Sequence, residues 1–148
     1  PNAAFCFAFD EPLSHVVYAA ADFILVPSMF EPCGLTQMIS MRYGAVPVVR
    51  ATGGLRDTVF DLDTEKARAS WEVDGSTDFK ETGDQTNGFS FEGTDPEALN
   101  YALDRALDCY YNDKAWFRTL QERIMRQDWS WNRPALDYIE LYYSAIRG

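Results

Sequence analysis

Between Ser28 and Thr36, in the string SMFEPCGLT, a carboxylate stands three residues before a glycine and five before a threonine hydroxyl. A glutamate so placed accepts hydrogen bonds from sugar hydroxyls, or faces positive charge developing on a sugar carbon during transfer. If a helix begins near Gly34, its first backbone N–H groups are unpaired and carry partial positive charge, the ordinary arrangement for holding a phosphate. Gly34 has no side chain to block approach, Leu35 and Thr36 continue the row of amides, and Thr36 adds a hydroxyl donor. Together these groups suit a sugar phosphate. The plainer reading is that a glycine before a helix is common in α/β loops and that a glutamate before proline caps or solvates its turn.

The flanking residues supply the elements that would position this turn. Phe23 to Val26 is an apolar run bounded by Asp22 and Pro27, which predicts a strand buried on both faces and ended by the proline. From Leu35 to Tyr43 apolar residues recur at helical spacing, and Gly44 stands where a helix C-cap wants it. A strand at Val46–Val49, the turn Thr52-Gly53-Gly54-Leu55 and a helix from Leu55 continue the alternation. Upstream, Phe5–Phe9 reads as a strand and Pro12–Ala20 as a helix. The rhythm predicts parallel β/α units, a Rossmann-like sheet that binds ligands beyond the carboxyl ends of its strands, where Phe9, Glu31 and Gly53 would emerge.

Residues 63–87 are polar and acidic with little periodicity, which predicts a long, flexible surface insertion. Asn87-Gly88 reads as a turn into a strand at Phe89–Phe91. Thr94 or Asp95, followed by Pro96 and Glu97, marks a helix start and opens a helical segment over 95–148. Further helices are predicted from Lys114 to Arg126 and from Pro134 to Ile146. Trp116, Trp129, Trp131, Tyr138, Tyr142 and Tyr143 are expected in the core.

The 148 residues correspond to one ordinary domain with ample apolar content for a core, and the net charge is −10. From Asp61 to Glu97 eleven acidic and three basic residues leave −8 of that charge in one stretch. Such a balance argues against a nucleic-acid partner, since phosphate backbones are bound by clustered Lys and Arg. Cys6, Cys33 and Cys109 form no CxxC pair and His15 is the single histidine, so a zinc ligand set is not expected. The scattered cysteines suit a reducing compartment. No apolar run approaches the roughly 20 residues of a membrane span.

The string FEPCGLTQM, followed by MRYGAVPVV and TGGL, resembles the starch synthase and bacterial glycogen synthase family. SHVVYAAADFILVPS, TGGLRDTVFDLD, NGFSFEGTD and QDWSWNRPALDYIELYYSAIR extend the resemblance in order over nearly the whole chain. The class III soluble starch synthases of plants and green algae look most similar. The resemblance implies the two-domain GT-B architecture, with this chain forming the later part of the C-terminal, donor-binding domain. It implies retaining transfer of glucose from ADP-glucose to the non-reducing end of an α-1,4-glucan without a cofactor.

Carried over by position, Glu31 matches the glutamate that contacts the donor glucose, and the backbone of Gly34, Leu35 and Thr36 matches the phosphate loop. Cys33 matches a cysteine near the donor sugar, or is a small side chain that merely fits. Phe9 takes the place of an aromatic residue against adenine, or is a strand-end core residue. His15 matches a serine-histidine pair of low functional weight. Ile39 stands where many retaining GT-B enzymes place a second glutamate, which removes a ribose ligand but agrees with the ADP-glucose branch. The TGGL turn is expected to let backbone pass close to neighbouring elements. Beginning at Pro1, the chain looks like a fragment: the basic residues that neutralise the diphosphate and the acceptor domain would lie upstream, and since the family's final helix packs on that domain, some of the C-terminal aromatics would be left exposed. A plastid location follows for a plant or algal source, and a cytoplasmic one for a bacterial source. The alternative is a non-catalytic module that binds ADP or glucan, or docks to other proteins.

Overall fold

A computed structural model of the chain describes residues 2–69 and 84–147. Its elements are α1 (Glu11–Ala20), β1 (Phe23–Val26), α2 (Thr36–Arg42), β2 (Val46–Arg50), α3 (Gly53–Thr58), β3 (Phe89–Phe91), α4 (Pro96–Asn112), α5 (Lys114–Arg126) and α6 (Asn132–Arg147). The three strands form one parallel sheet in the order β1-β2-β3, with Phe23 opposite Val46, Val26 opposite Val49, and Val48 opposite Phe89. The expected Rossmann-like β/α alternation is present. It starts later than the sequence suggests, because Phe5–Phe9 forms no strand and its rings are exposed.

β2 is central, and its sequence VPVVR explains why. Val48 points into a core built from Met41, Val46, Leu62, Phe89, Ala102, Ala106, Phe117, Leu120 and Ile124. Val49, one residue on and so on the opposite face, joins Val26, Leu55 and Val59. Each fully buried side chain of this size contributes roughly 1.5–3 kcal/mol by leaving water. β1 was expected to be covered on both faces, but Leu25 is 43% exposed. β1 is paired on one side only, so its outer surface lacks cover among the described residues.

Helix starts follow their caps. Asp10, Asp95 and Asp113 accept from the backbone N–H groups of Leu13, Ala98 and Trp116 at 2.9, 2.9 and 3.0 Å, opening α1, α4 and α5. Gly44 has φ of +80° just past α2, as the C-cap reading required. Two expectations change. Asn87-Gly88 forms no turn: Gly88 bridges to Asp61, and Asn87 is buried, its Oδ1 accepting from Phe60 N at 2.7 Å and its Nδ2 donating to Thr58 O and to Gln127 Oε1. The aromatic set also divides. Trp116 and Trp129 pack against the core, whereas Trp131, just before α6, and Tyr138, Tyr142 and Tyr143, on that helix, are exposed; α6 buries none of its residues.

The insertion expected at 63–87 lies in part outside the described residues. Its described margins pack inward, with Ala69 and Thr86 buried. The entry to this stretch is fixed by a buried carboxylate. Asp61 accepts from Ser90 N at 2.8 Å and from both terminal nitrogens of Arg105, Nη1 to Oδ1 at 3.0 Å and Nη2 to Oδ2 at 2.8 Å. Burial alone would raise the Asp61 pKa; the hydrogen bonds from Arg105, Ser90 and Asp63 outweigh it and hold the carboxyl below its ordinary value of 3.8.

Because the folded pKa is the lower one, the stability that Asp61 contributes is complete above about pH 4 and is lost as pH falls through the folded value. Urea unfolding between pH 6 and pH 2 should show that loss, and Arg105→Met should remove the acid-dependent part while costing about 3 kcal/mol at neutral pH.

Candidate functional site

The turn that carries Glu31 leaves the carboxyl end of β1, beside the end of β2, which is the edge where parallel sheets bind ligands. Pro27 ends β1 as expected. Arg50, the last residue of β2, then holds the departing loop: Nη1 donates to Ser28 O at 3.4 Å and Met29 O at 3.1 Å, and Nε to Gly93 O at 3.3 Å. Ser28 Oγ in turn donates to Glu31 Oε2 at 3.2 Å, so the half-buried carboxylate is aimed by a residue that the loop itself fixes.

Behind Glu31 the chain runs against the start of α3. Gly54 N donates to Glu31 O at 3.0 Å. A Cβ on Gly54 would lie 1.8 Å from Cys33 O, and one on Gly53 would lie 1.9 Å from Glu31 O, with Gly53 at φ +45°. Neither position can take a side chain without separating the two segments. This is the role expected of the TGGL turn, and it extends to the Glu-Pro-Cys backbone itself.

Gly34 has φ of +72°, and Leu35 follows at φ −114°, ψ −20° as the N-cap of α2. A left-handed residue followed by a right-handed one turns successive N–H groups into one concavity, a nest suited to an anion. No side chain caps this helix start. α2 has only seven residues, so local amides rather than a long macrodipole supply the attraction.

The expected site residues divide in space. Glu31, Cys33, Gly34, Leu35 and Thr36 form the one continuous turn, with Cys33 and Leu35 exposed and Thr36 half-buried. Phe9 stands 99% exposed on the extended segment before α1, and among the described residues no hydrogen bond or ring contact ties it to that turn. His15 Nδ1 lies 2.8 Å from Tyr43 Oη, which joins α1 to the end of α2. Sequence reasoning passed over Ser28, Gln37, Arg50 and Thr58, which hold the turn in place. The signal available was the pair of adjacent glycines: two residues without side chains imply something pressed against them.

Among the described residues no group of three or more His, Cys, Asp or Glu side chains is placed to hold a metal ion, and no helix is long and apolar enough to cross a membrane.

No protein-family model matches the chain. Soluble starch synthase 3, chloroplastic/amyloplastic, of Solanum tuberosum is 57% identical over 144 residues, covering 97% of this chain and 11% of that protein. Glycogen synthase 1 of a Synechococcus strain is 48% identical over 142 residues, covering 96% of this chain and 26% of that protein. Among solved structures, the catalytic domain of starch synthase IV from Arabidopsis thaliana bound to ADP and acarbose aligns with a TM-score of 0.78 at 43% identity, over 95% of this chain and 26% of that one. The parallel sheet, its flanking helices and the turn at Glu31 are thus part of a GT-B glycosyltransferase catalytic domain. This chain spans between 11% and 26% of the length of these relatives. It belongs to the starch synthase and bacterial glycogen synthase family.

If the close approach at Gly54 is what shapes the turn, Gly54→Ala should destabilise the fold by about 3 kcal/mol through overpacking. Leu35→Ala, at an exposed position, should change stability by less than about 0.5 kcal/mol. Denaturant midpoints of the two variants measure the contrast.

Proposed function

We propose that the intact protein carrying this chain is a starch synthase: it transfers glucose from ADP-glucose to the non-reducing end of an α-1,4-glucan with retention of configuration. The observation that supports this reading is the turn held against Gly53 and Gly54, which carries Glu31 and the Gly34–Thr36 backbone in one short segment at the carboxyl edge of the sheet. In this reading Glu31 accepts hydrogen bonds from the donor glucose hydroxyls, the Gly34–Thr36 backbone takes the diphosphate, and Cys33 borders the sugar. Phe9 offers a flat apolar face to adenine, the role that its exposure leaves open.

The reaction needs no resident cofactor, since the nucleotide-sugar is the substrate. The bond from the sugar anomeric carbon to the diphosphate oxygen breaks and ADP departs. The glucan 4-hydroxyl oxygen bonds to that carbon on the same face, and its proton passes to the leaving phosphate. No side chain of the turn is a nucleophile in this scheme. Glu31 and the amides act by holding the sugar and by stabilising charge as it develops.

Basic groups for the diphosphate, and an acceptor-binding N-terminal domain, belong to the remainder of the protein, so this segment supplies part of the donor site within the C-terminal domain. The 57% identity to a chloroplastic/amyloplastic starch synthase 3, against 48% to a cyanobacterial glycogen synthase, supports a class III plastid enzyme over a bacterial glycogen synthase.

Transfer of radiolabelled glucose from ADP-glucose into glucan by the full-length protein tests the proposal. Glu31→Gln should lower kcat/KM at least about a hundredfold, the scale seen when one preorganised transition-state contact is removed. Equal transfer by both proteins would overturn the role of Glu31. A wild type that binds ADP but transfers nothing would mark a non-catalytic binding module instead.

A further inference from the structure

Gln37 is completely buried one residue into α2, directly behind the turn. Its Nε2 donates to Gly34 O at 3.0 Å and to Thr58 Oγ1 at 2.9 Å. Thr58 Oγ1 lies 2.6 Å from Gly54 O, so its proton is committed to that carbonyl and only its lone pairs face Gln37. Both partners of Gln37 are therefore acceptors, which fixes the orientation of its amide: the NH2 group must face them. Its Oε1 is left buried without a hydrogen-bond partner. It stands 2.9 Å from where a Cβ on Gly34 would lie, and Glu31 Cγ stands 3.1 Å from the same point.

A buried carbonyl oxygen without a partner is costly, and an apolar side chain of similar size would avoid the cost. We propose that Gln37 is a positioning residue: its amide nitrogen clamps Gly34 to Thr58 at the end of α3, so that the 34–36 amides and Glu31 hold their mutual geometry before any ligand arrives. The clamp closes a loop of contacts, from Gly34 O through Gln37 and Thr58 to Gly54 O, and from Gly54 N back to Glu31 O. Gln37 itself, with no accessible surface, acts only through the turn. Its kinetic consequence rests on the donor-site reading above, whereas its effect on the turn rests on geometry alone.

The test uses the full-length protein with Gln37→Leu, Thr58→Val and Thr58→Ser. Amide hydrogen exchange at Gly54 and Ile39, whose N–H groups fasten the turn by bonding to Glu31 O and Leu35 O, should accelerate about tenfold in Gln37→Leu and in Thr58→Val, without acceleration in the strands. The KM for ADP-glucose should rise about tenfold in the same two variants while the KM for glucan stays constant, and Thr58→Ser, which keeps the hydroxyl, should behave as wild type. If Gln37→Leu fails to fold, Thr58→Val decides alone, since it breaks the link without emptying the interior. Unchanged exchange in the turn would overturn the proposal, and so would acceleration throughout the chain with a lowered melting temperature, which is the signature of a merely structural residue. A wild type that does not transfer from ADP-glucose sinks the functional reading instead, and exchange still judges Gln37.

Discussion

The site depends on one close approach of backbone to backbone. The Glu31–Gly34 turn rests on the first residues of α3 with Glu31 O accepting from Gly54 N, and the contact exists because positions 53 and 54 have no Cβ. Everything that gives the turn its chemistry follows from that contact. The backbone of Glu31 is fixed through its own carbonyl while Ser28 aims its carboxylate, and the left-handed conformation at Gly34 then orients the next amides. Arg50 and Ser28 secure the near side, and Gln37 and Thr58 the far side.

The sheet and the site are coupled through the same few residues. Val49 packs with Leu55 and Val59, so α3 is seated on the sheet by apolar contacts that begin at the residue after the glycines. Arg50, the next residue of the strand, reaches across to the Ser28 and Met29 carbonyls. β2 therefore sets the height of both walls of the turn, and a shift of that strand moves them together. Preorganisation of this kind lets donors and acceptors meet a charged ligand without first having to reorder.

Much of this was legible in the residues. The helix at 96–112 follows from its cap at Thr94 or Asp95 and the proline after it, that at 114–126 from apolar spacing, and β2 from a valine run too short for a helix. Glu31 and Gly34 were legible because a carboxylate, a glycine and a helix start follow one another along the chain. What stayed hidden depends on contacts distant in sequence. Gln37 and Thr58 are 21 residues apart, and nothing in TQMISMR or GGLRDT states that they meet. Asn87 read as a turn residue because Asn-Gly usually is one; burial beneath Gln127 reverses that preference. The Phe5–Phe9 alternation suits a strand, yet a strand forms only where a neighbour offers a ladder.

β1 bounds the sheet on one side, and its backbone N–H and C=O groups that do not face β2 make a ready template. A further strand laid there in the parallel sense would point its carboxyl end the same way as β1 and β2. The loop leaving that strand would open onto the rim that already holds Glu31. An added neighbour would thus extend the carboxyl edge of the sheet beyond β1 as well as shelter Leu25.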